Sequence, residues 1–350
     1  MANKFKSAAQ KISVDQAVGT ALAHDITEIR PGQFKGPSFK KGHVIEKDDI
    51  AHLKRLGKEH LFVLKIDPGE VHEDEAAMRL AEALAGPGVH FEGPPSEGKI
   101  NLKATHRGLL KVHVPALTKL CLISEICCAS LHNHSVVEKE STLAATRAIP
   151  LVMDERILIK ALDIAAEAGG IFSVHAFSNP STGIIITGNE VYHGLIEDKF
   201  APILRKKLEA FDCPVLETVF APDREEEIAK CIQDLRKKGA EMILVAGGMS
   251  VDPDDVSRMA ISKAGVKDMV YGTSVLPGAM FLYGRLGEVP VLGLPACVLY
   301  YKATVFDLML PRVLAGEAIT REALARLAHG GLCRSCSSCH FPICPFGKGS

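Results

Sequence analysis

MILVAGGMSVDPDD, residues 242–255, is the stretch on which the fold turns. Its apolar run, Met242–Ala246, stops at two glycines, the pattern of a strand buried on both faces that ends in a tight turn. The same construction stands upstream in GIIITGNEV (residues 183–191) and downstream in Val289–Leu294, which ends at Pro295-Ala296-Cys297. Val215–Phe220 is another strand of this kind. Between the strands the apolar spacing becomes helical. Ile196–Phe211 places Phe200, Ile203, Leu204 and Leu208 on one side. A second helix opens at Asp223 with Glu226 as its capping-box partner, carries Ile228, Cys231, Ile232 and Leu235, and ends at Gly239. A short strand pair is predicted around Tyr271–Leu286 and a helix from about Val298 to Leu310. Strands alternating with helices of these lengths predict an α/β fold over residues 181–316, three layers around a mostly parallel sheet.

On either side the pattern changes. Residues 1–178 read as an α+β region of short strands and helices, with room for a small barrel. Asp48 is placed to cap a helix that Gly57 stops, His60–Ile66 reads as a strand, and Glu73–Leu84 has helical spacing. Gly86–Gly98 reads as a long loop, Ser178–Gly183 as a boundary, and the chain after Gly330 as a separate tail, within a Cys-rich segment 317–350. With 350 residues the chain is too long for one ordinary core. Its 47% hydrophobic and 24% charged content is that of a soluble globular protein. A formal net charge of −1 supplies no global field for nucleic acid or anionic lipid, and no apolar run is long enough to span a bilayer. Met1–Lys11 has no apolar core of a signal peptide, so a cytoplasmic location is expected.

In open parallel sheets, ligands bind beyond the carboxyl ends of the strands. Here those ends are Thr187-Gly188-Asn189-Glu190, Pro222-Asp223, Gly247-Gly248-Met249-Ser250 and Pro295-Ala296-Cys297. Glycine permits close backbone approach, and free N–H groups at helix starts hold phosphate without net positive charge. A neutral chain with such turns suits an anionic ligand, although each glycine taken alone is equally at home in a plain tight turn. Asp252, Asp254 and Asp255 follow directly, and carboxylates beside a phosphate site hold Mg²⁺ through oxygen. The plain alternative is an acidic, helix-capping turn. Cys297 stands at a predicted strand end and helix start, where a helix dipole would stabilise a thiolate; a small packed residue is the other reading.

TGNEV (Thr187–Val191), GGMSVDPDD (Gly247–Asp255), Pro277-Gly278 and Gly293-Leu294-Pro295 together resemble the molybdopterin-binding domain shared by molybdopterin molybdotransferases, gephyrin-like proteins and molybdopterin adenylyltransferases. Phe39–Gly57 resembles a segment of the molybdotransferases' barrel-containing region, and the whole chain resembles bacterial molybdopterin-binding proteins that end in a GGLCxxC tail. The resemblance implies that Thr187, Gly188, Glu190, Gly247, Gly248 and Ser250 bind the cofactor, molybdopterin or its adenylylated form; Asn189, Pro295 and Cys297, at the same strand ends, are further cofactor-binding candidates. It also implies Asp255 as the catalytic acidic residue in Mg²⁺-assisted molybdate insertion, while Asp252 joins Asp255 as a Mg²⁺ candidate from the acidic run itself. The motifs depart from the family at Asp252, at Ala279 in place of a lysine, at Ala296-Cys297-Val298, and at Phe200 in place of an asparagine. The expected function is therefore molybdotransferase-like. A non-catalytic carrier or maturation chaperone for a recipient molybdoenzyme is the alternative, and a nucleotide pyrophosphatase or regulator on the same fold is a third. By analogy with the family a homodimer is expected.

Of ten cysteines, six (Cys121, Cys127, Cys128, Cys213, Cys231, Cys297) are scattered and mostly sit in apolar stretches. Cys333, Cys336, Cys339 and Cys344, spaced C-x2-C-x2-C-x4-C-P, form a thiolate metal motif suited to Zn²⁺ or an iron–sulfur cluster. His329 and His340 are alternative ligands, and His132-x-His134 reads as a polar turn with metal ligation as its alternative.

Overall fold

The computed structural model describes residues 9–30, 34–64, 68–96, 98–250 and 256–349. The chain divides into two compact units, the first drawn mainly from residues up to Val174 and the second from His175 onward.

The first unit is α+β. Ala9–Ser13 pairs antiparallel with His60–Leu64, and Ile26–Arg30 with Phe34–Phe39, around a small core of Val14, Leu22, Ile26, Ile45 and Leu53. The helix Asp49–Arg55 follows the predicted place, but Asp48 makes no capping bond; the Asp49 carboxylate instead accepts the Glu46 N–H at 2.9 Å. A second core forms where the helices Glu73–Leu84 and Glu155–Glu167 meet a sheet ordered Val89–Phe91, Lys99–Ala104, Thr142–Ala148, Ile126–Ser130. Glu73–Leu84 matches its periodicity, burying Ala76, Ala77, Leu80, Ala81 and Leu84. The stretch expected as a long loop at 86–98 contains the edge strand Val89–Phe91. Three half-buried residues flanked by glycine and proline are too short to register as alternation.

The second unit holds a six-stranded sheet. Its strands are β1 (Thr182–Thr187), β2 (Val215–Ala221), β3 (Met242–Ala246), β4 (Lys267–Tyr271), β5 (Leu282–Leu286) and β6 (Val289–Leu294), in the spatial order β2-β1-β3-β6-β5-β4. The first four in that order run parallel, whereas β5 pairs antiparallel with β6 and β4 with β5. The sheet is thus mixed rather than mostly parallel throughout. The cause is local: β5 and β6 are joined by the tight turn at Gly287, and a hairpin connection cannot make a parallel pair.

Alternation along the strands builds the layers. Ile184 and Ile186 of β1, with Met242 and Leu244 of β3, face the helices α1 (Phe200–Glu209) and α4 (Val305–Leu314). Ile185, Ile243 and Val245 face α2 (Glu225–Lys237) and α3 (Ser257–Lys263). Both faces are covered, so every residue of β1 and β3 is buried.

Two helices differ from expectation at their starts. α2 begins at Glu225 without a side-chain cap, because the Asp223 carboxylate is engaged elsewhere. Glu225, Glu226 and Glu227 in its first turn complement the helix dipole instead. The helix expected from Val298 is split into a 3-10 turn, Ala296–Leu299, and α4, which the Thr304–Asp307 capping box starts afresh. The segment from Gly330 packs onto this unit: Leu276 N–H donates to Gly331 O (2.8 Å), Cys333 N–H to Leu276 O (2.8 Å), and Phe346 is buried in the core. Among the described residues no helix is long and apolar enough to cross a membrane.

Candidate functional site

The register of the parallel strands decides where the glycine turns lie. Thr187 is paired with Ala221, Ile186 with Ala246, and Ala246 with Leu294. The last residues of β1, β2, β3 and β6 are therefore level, and the turns at Gly188, Pro222, Gly247 and Pro295 leave from one edge. The sequence spreads these segments over more than a hundred positions; the sheet brings them together.

Thr187 is buried, and its hydroxyl lies 3.4 Å from Ala246 O and 3.2 Å from the Ser257 hydroxyl. The side chain thus ties β1 to β3 and to the first residue of α3. Ser257, fully buried, also donates its N–H to Gly248 O at 3.2 Å. Its role is tertiary, and no local motif announces it. Gly247 has φ +100°, and a Cβ there would stand 2.6 Å from Thr187 O and 2.7 Å from Thr187 Oγ1. Gly248 is pressed equally hard against the Ser257 hydroxyl. These glycines are required by the protein's own backbone packing. Gly188 differs, since at φ +138° a Cβ would meet only the Glu190 carboxylate, at 3.6 Å.

Asn189 and Asp223 form a reciprocal clasp: Asn189 N–H donates to Asp223 Oδ2 (2.9 Å), and Asp223 N–H to Asn189 Oδ1 (3.2 Å). The clasp fixes the first turn to the second, with Asn189 and Glu190 left exposed at the rim. Ser250 is exposed beside buried Met249, whose carbonyl accepts the Tyr271 hydroxyl at 2.7 Å. The Arg258 guanidinium stacks on the Tyr271 ring, 4.9 Å from its centroid, and is a cation at this edge that sequence reading passed over. Asp252, Asp254 and Asp255 lie outside the described residues.

Pro295 is buried, and Cys297 is half-buried in the 3-10 turn. Of the two readings of Cys297, this environment favours the packed thiol over the helix-stabilised thiolate. Burial pushes the Cys297 thiol up, its own backbone hydrogen bond opposes this, and Asp307 adds to the rise. A four-residue 3-10 turn carries too little aligned dipole to reverse it. Burial also pushes Cys128 up to about 12 and Cys213 to about 11. At pH 8 iodoacetamide is expected to modify the exposed Cys121, Cys127, Cys336 and Cys339 of the metal-free chain while leaving Cys128 and Cys213 intact, because only the thiolate reacts. Peptide mass mapping reads this directly, and rapid labelling of Cys128 in the folded chain contradicts it.

The tail cysteines border a cavity of about 860 Å³ together with His340 and Tyr300–Ala303, the stretch following the Pro295 turn. Among the described residues, the one group of three ligand-type side chains whose donor atoms all lie within 4.8 Å of one another is elsewhere: His90, Glu92 and Glu140. The Lys103 ammonium sits 3.2 Å from Glu92 and 3.7 Å from Glu140, so one cation already offsets part of that group's charge. His132 and His134 form the polar turn expected of them, with the Ser135 hydroxyl on His132 O and His134 3.4 Å from Glu317.

Residues 183–315 match the family described as a probable molybdopterin binding domain, and residues 11–65 match a domain of unknown function (DUF8806). A molybdopterin molybdenumtransferase from Haemophilus influenzae is 25% identical over 151 residues, covering 41% of this chain and 37% of the relative. A CinA-like protein from Thermosipho melanesiensis is 32% identical over 88 residues, covering 25% of this chain and 22% of the relative. The chain thus spans well under half the length of either relative. Among solved structures, the molybdopterin biosynthesis enzyme MoaB from Thermus thermophilus aligns at 19% identity with a TM-score of 0.34, covering 39% of this chain and 98% of that one.

Proposed function

We propose, from the premise that residues 183–315 form a domain of the molybdopterin-binding family, that this protein acts in the cytoplasm in molybdenum-cofactor assembly as a molybdotransferase-like enzyme. The observation that carries the reading is the level edge of β1, β2, β3 and β6, where four motif turns lie together and those after β1, β2 and β3 are tied to one another by the Thr187–Ser257 and Asn189–Asp223 contacts. A preorganised ledge of backbone and short polar side chains suits a phosphorylated pterin. In this reading Thr187, Gly247 and Gly248 shape the ledge, while Gly188, Asn189, Glu190, Ser250, Pro295 and Cys297 face the ligand. Asp252 and Asp255 would hold Mg²⁺, which offsets the charge of molybdate arriving at adenylylated molybdopterin. The tail cysteines are a second proposed ligand site, for an iron–sulfur cluster or Zn²⁺. A homodimer and a recipient molybdoenzyme are the partners the reading implies.

A non-catalytic carrier is the second reading, and two observations favour it. Ala279 stands where a lysine would meet an anionic substrate, and the Cys297 thiol is held protonated by burial. Binding of molybdopterin and of its adenylylated form to anaerobically purified protein, followed by molybdate insertion, separates the two. For the transferase, adenylylated molybdopterin binds to both wild type and Asp255→Ala, and insertion falls at least about 100-fold in the variant. Binding without turnover in either protein identifies a carrier. Absence of pterin binding refutes both.

A further inference from the structure

The loop that carries the four tail cysteines is closed at its base, where Gly347 N–H donates to Gly330 O at 2.9 Å. One wall is tied down by the pairing of Gly331 and Cys333 with Leu276, and the other by buried Phe346. The middle has no helix or strand, and its apolar residues Leu332 and Ile343 are 70% and 88% exposed. Cys333, Phe341 and Cys344 pack against the core at the two ends of the loop, while Cys336 and Cys339 between them are exposed. Yet its four cysteines border one cavity of about 860 Å³. At the first of them the Ser335 N–H points to Cys333 Sγ at 3.5 Å, with Ser335 in the left-handed region at φ +49°.

Two kinds of metal centre take four thiolates, and they differ in span. A single Zn²⁺ with Zn–S bonds of about 2.3 Å needs its sulfurs about 3.8 Å apart. No three of these sulfurs lie within 4.8 Å of one another. A cubane cluster spreads its ligands over separate irons and so accepts wider spacing around a larger void. The C-x2-C-x2-C run resembles the first three ligands of a bacterial ferredoxin cluster; Cys344 lies one residue further on than the last cysteine of that run, which serves another cluster there, and it is the shared cavity that places Cys344 with the other three here. We infer that Cys333, Cys336, Cys339 and Cys344 hold one four-iron, four-sulfide cluster in the cavity beside Tyr300–Ala303. This rests on the reading of the tail as a metal site and is independent of the pterin reading.

Loading needs no redox step when the cluster is supplied preassembled. Each cysteine thiol gives its proton to a departing small thiolate as its sulfur bonds to iron. The test is transfer from a synthetic four-iron cluster bearing 2-mercaptoethanol ligands to the full chain under argon, with iron and acid-labile sulfide counted after desalting. About four of each per chain are expected. Cys336→Ser and Cys339→Ser, both at exposed positions, are expected to lose most of the bound iron, while Cys121→Ser outside the tail keeps it. A chain that leaves the cluster with mercaptoethanol and instead takes one Zn²⁺ through these thiols overturns the inference while preserving a metal site. A chain that takes neither overturns the metal reading as well.

Discussion

Gly247→Ala is expected to destabilise the protein by about 4 kcal/mol, read as a lower urea midpoint at unchanged slope. Two costs combine. A side chain at φ +100° sits in the left-handed half of backbone space, which costs about 1–2 kcal/mol. The new methyl would also stand 2.6 Å from the Thr187 carbonyl oxygen, a backbone atom at the carboxyl end of β1. It cannot swing aside as a flexible side chain would, so β1 and β3 must separate at their carboxyl ends. Gly239→Ala isolates the first cost. That glycine has φ +93° at the end of α2, and a Cβ there meets nothing within 4 Å. It is expected to lose only about 1 kcal/mol. Equal losses in the two variants would show that the Gly247 turn is not clamped against Thr187.

That contrast also marks what a sequence can carry. The strands Met242–Ala246 and Val289–Leu294 were legible to the residue, and Thr182–Thr187 to within one, because an apolar run bounded by glycine or proline admits few other readings. The three-layer arrangement followed from their alternation with helices. What stayed hidden was long-range. Asp223 and Glu226 satisfy the local rule for a capping box, yet the Asp223 carboxylate bonds to Asn189, 34 residues away. The parallel register of β1 and β2, rather than local preference, determines where it goes. The start of α4 did have a local signal, Thr304-x-x-Asp307, which the apolar spacing upstream outweighed. Ser257 had none. It is a serine among charged and apolar neighbours, and its burial against Thr187 exists only once β1 and β3 are side by side.

The same reasoning separates the two kinds of glycine at the site. Gly247 and Gly248 face the protein, so their role is to let the β3 turn close over Thr187 and Ser257. Gly188 faces open space beside Glu190, so its φ of +138° is the one local demand for glycine and no packed neighbour adds to it. A motif match weights all three alike. Their surroundings do not.

Glu317→Ala should cost about 3 kcal/mol, and Arg312→Met added to it should restore most of the loss. Arg312 lies on α4 with its side chain only 5% exposed, and Glu317 meets it in a two-pronged pair, Nε to Oε2 at 2.9 Å and Nη2 to Oε1 at 3.1 Å. Taking the carboxylate away strands a guanidinium that remains dehydrated in the folded state but is hydrated in the unfolded one. The expected loss lies at the low end of the usual range because Glu317 is itself 24% exposed, so water reaches part of the vacated space. In the double variant the stranded charge is gone, and the methionine stem can occupy much of the volume that the arginine stem filled. The pair would then matter less for net stability than for fixing the turn at Gly316, where Glu317 also donates its N–H to Arg312 O at 2.9 Å. Urea midpoints of both single variants and the double variant decide it. If the double variant is no more stable than Glu317→Ala alone, the cost comes from lost packing around Glu317 and not from an unpaired buried charge.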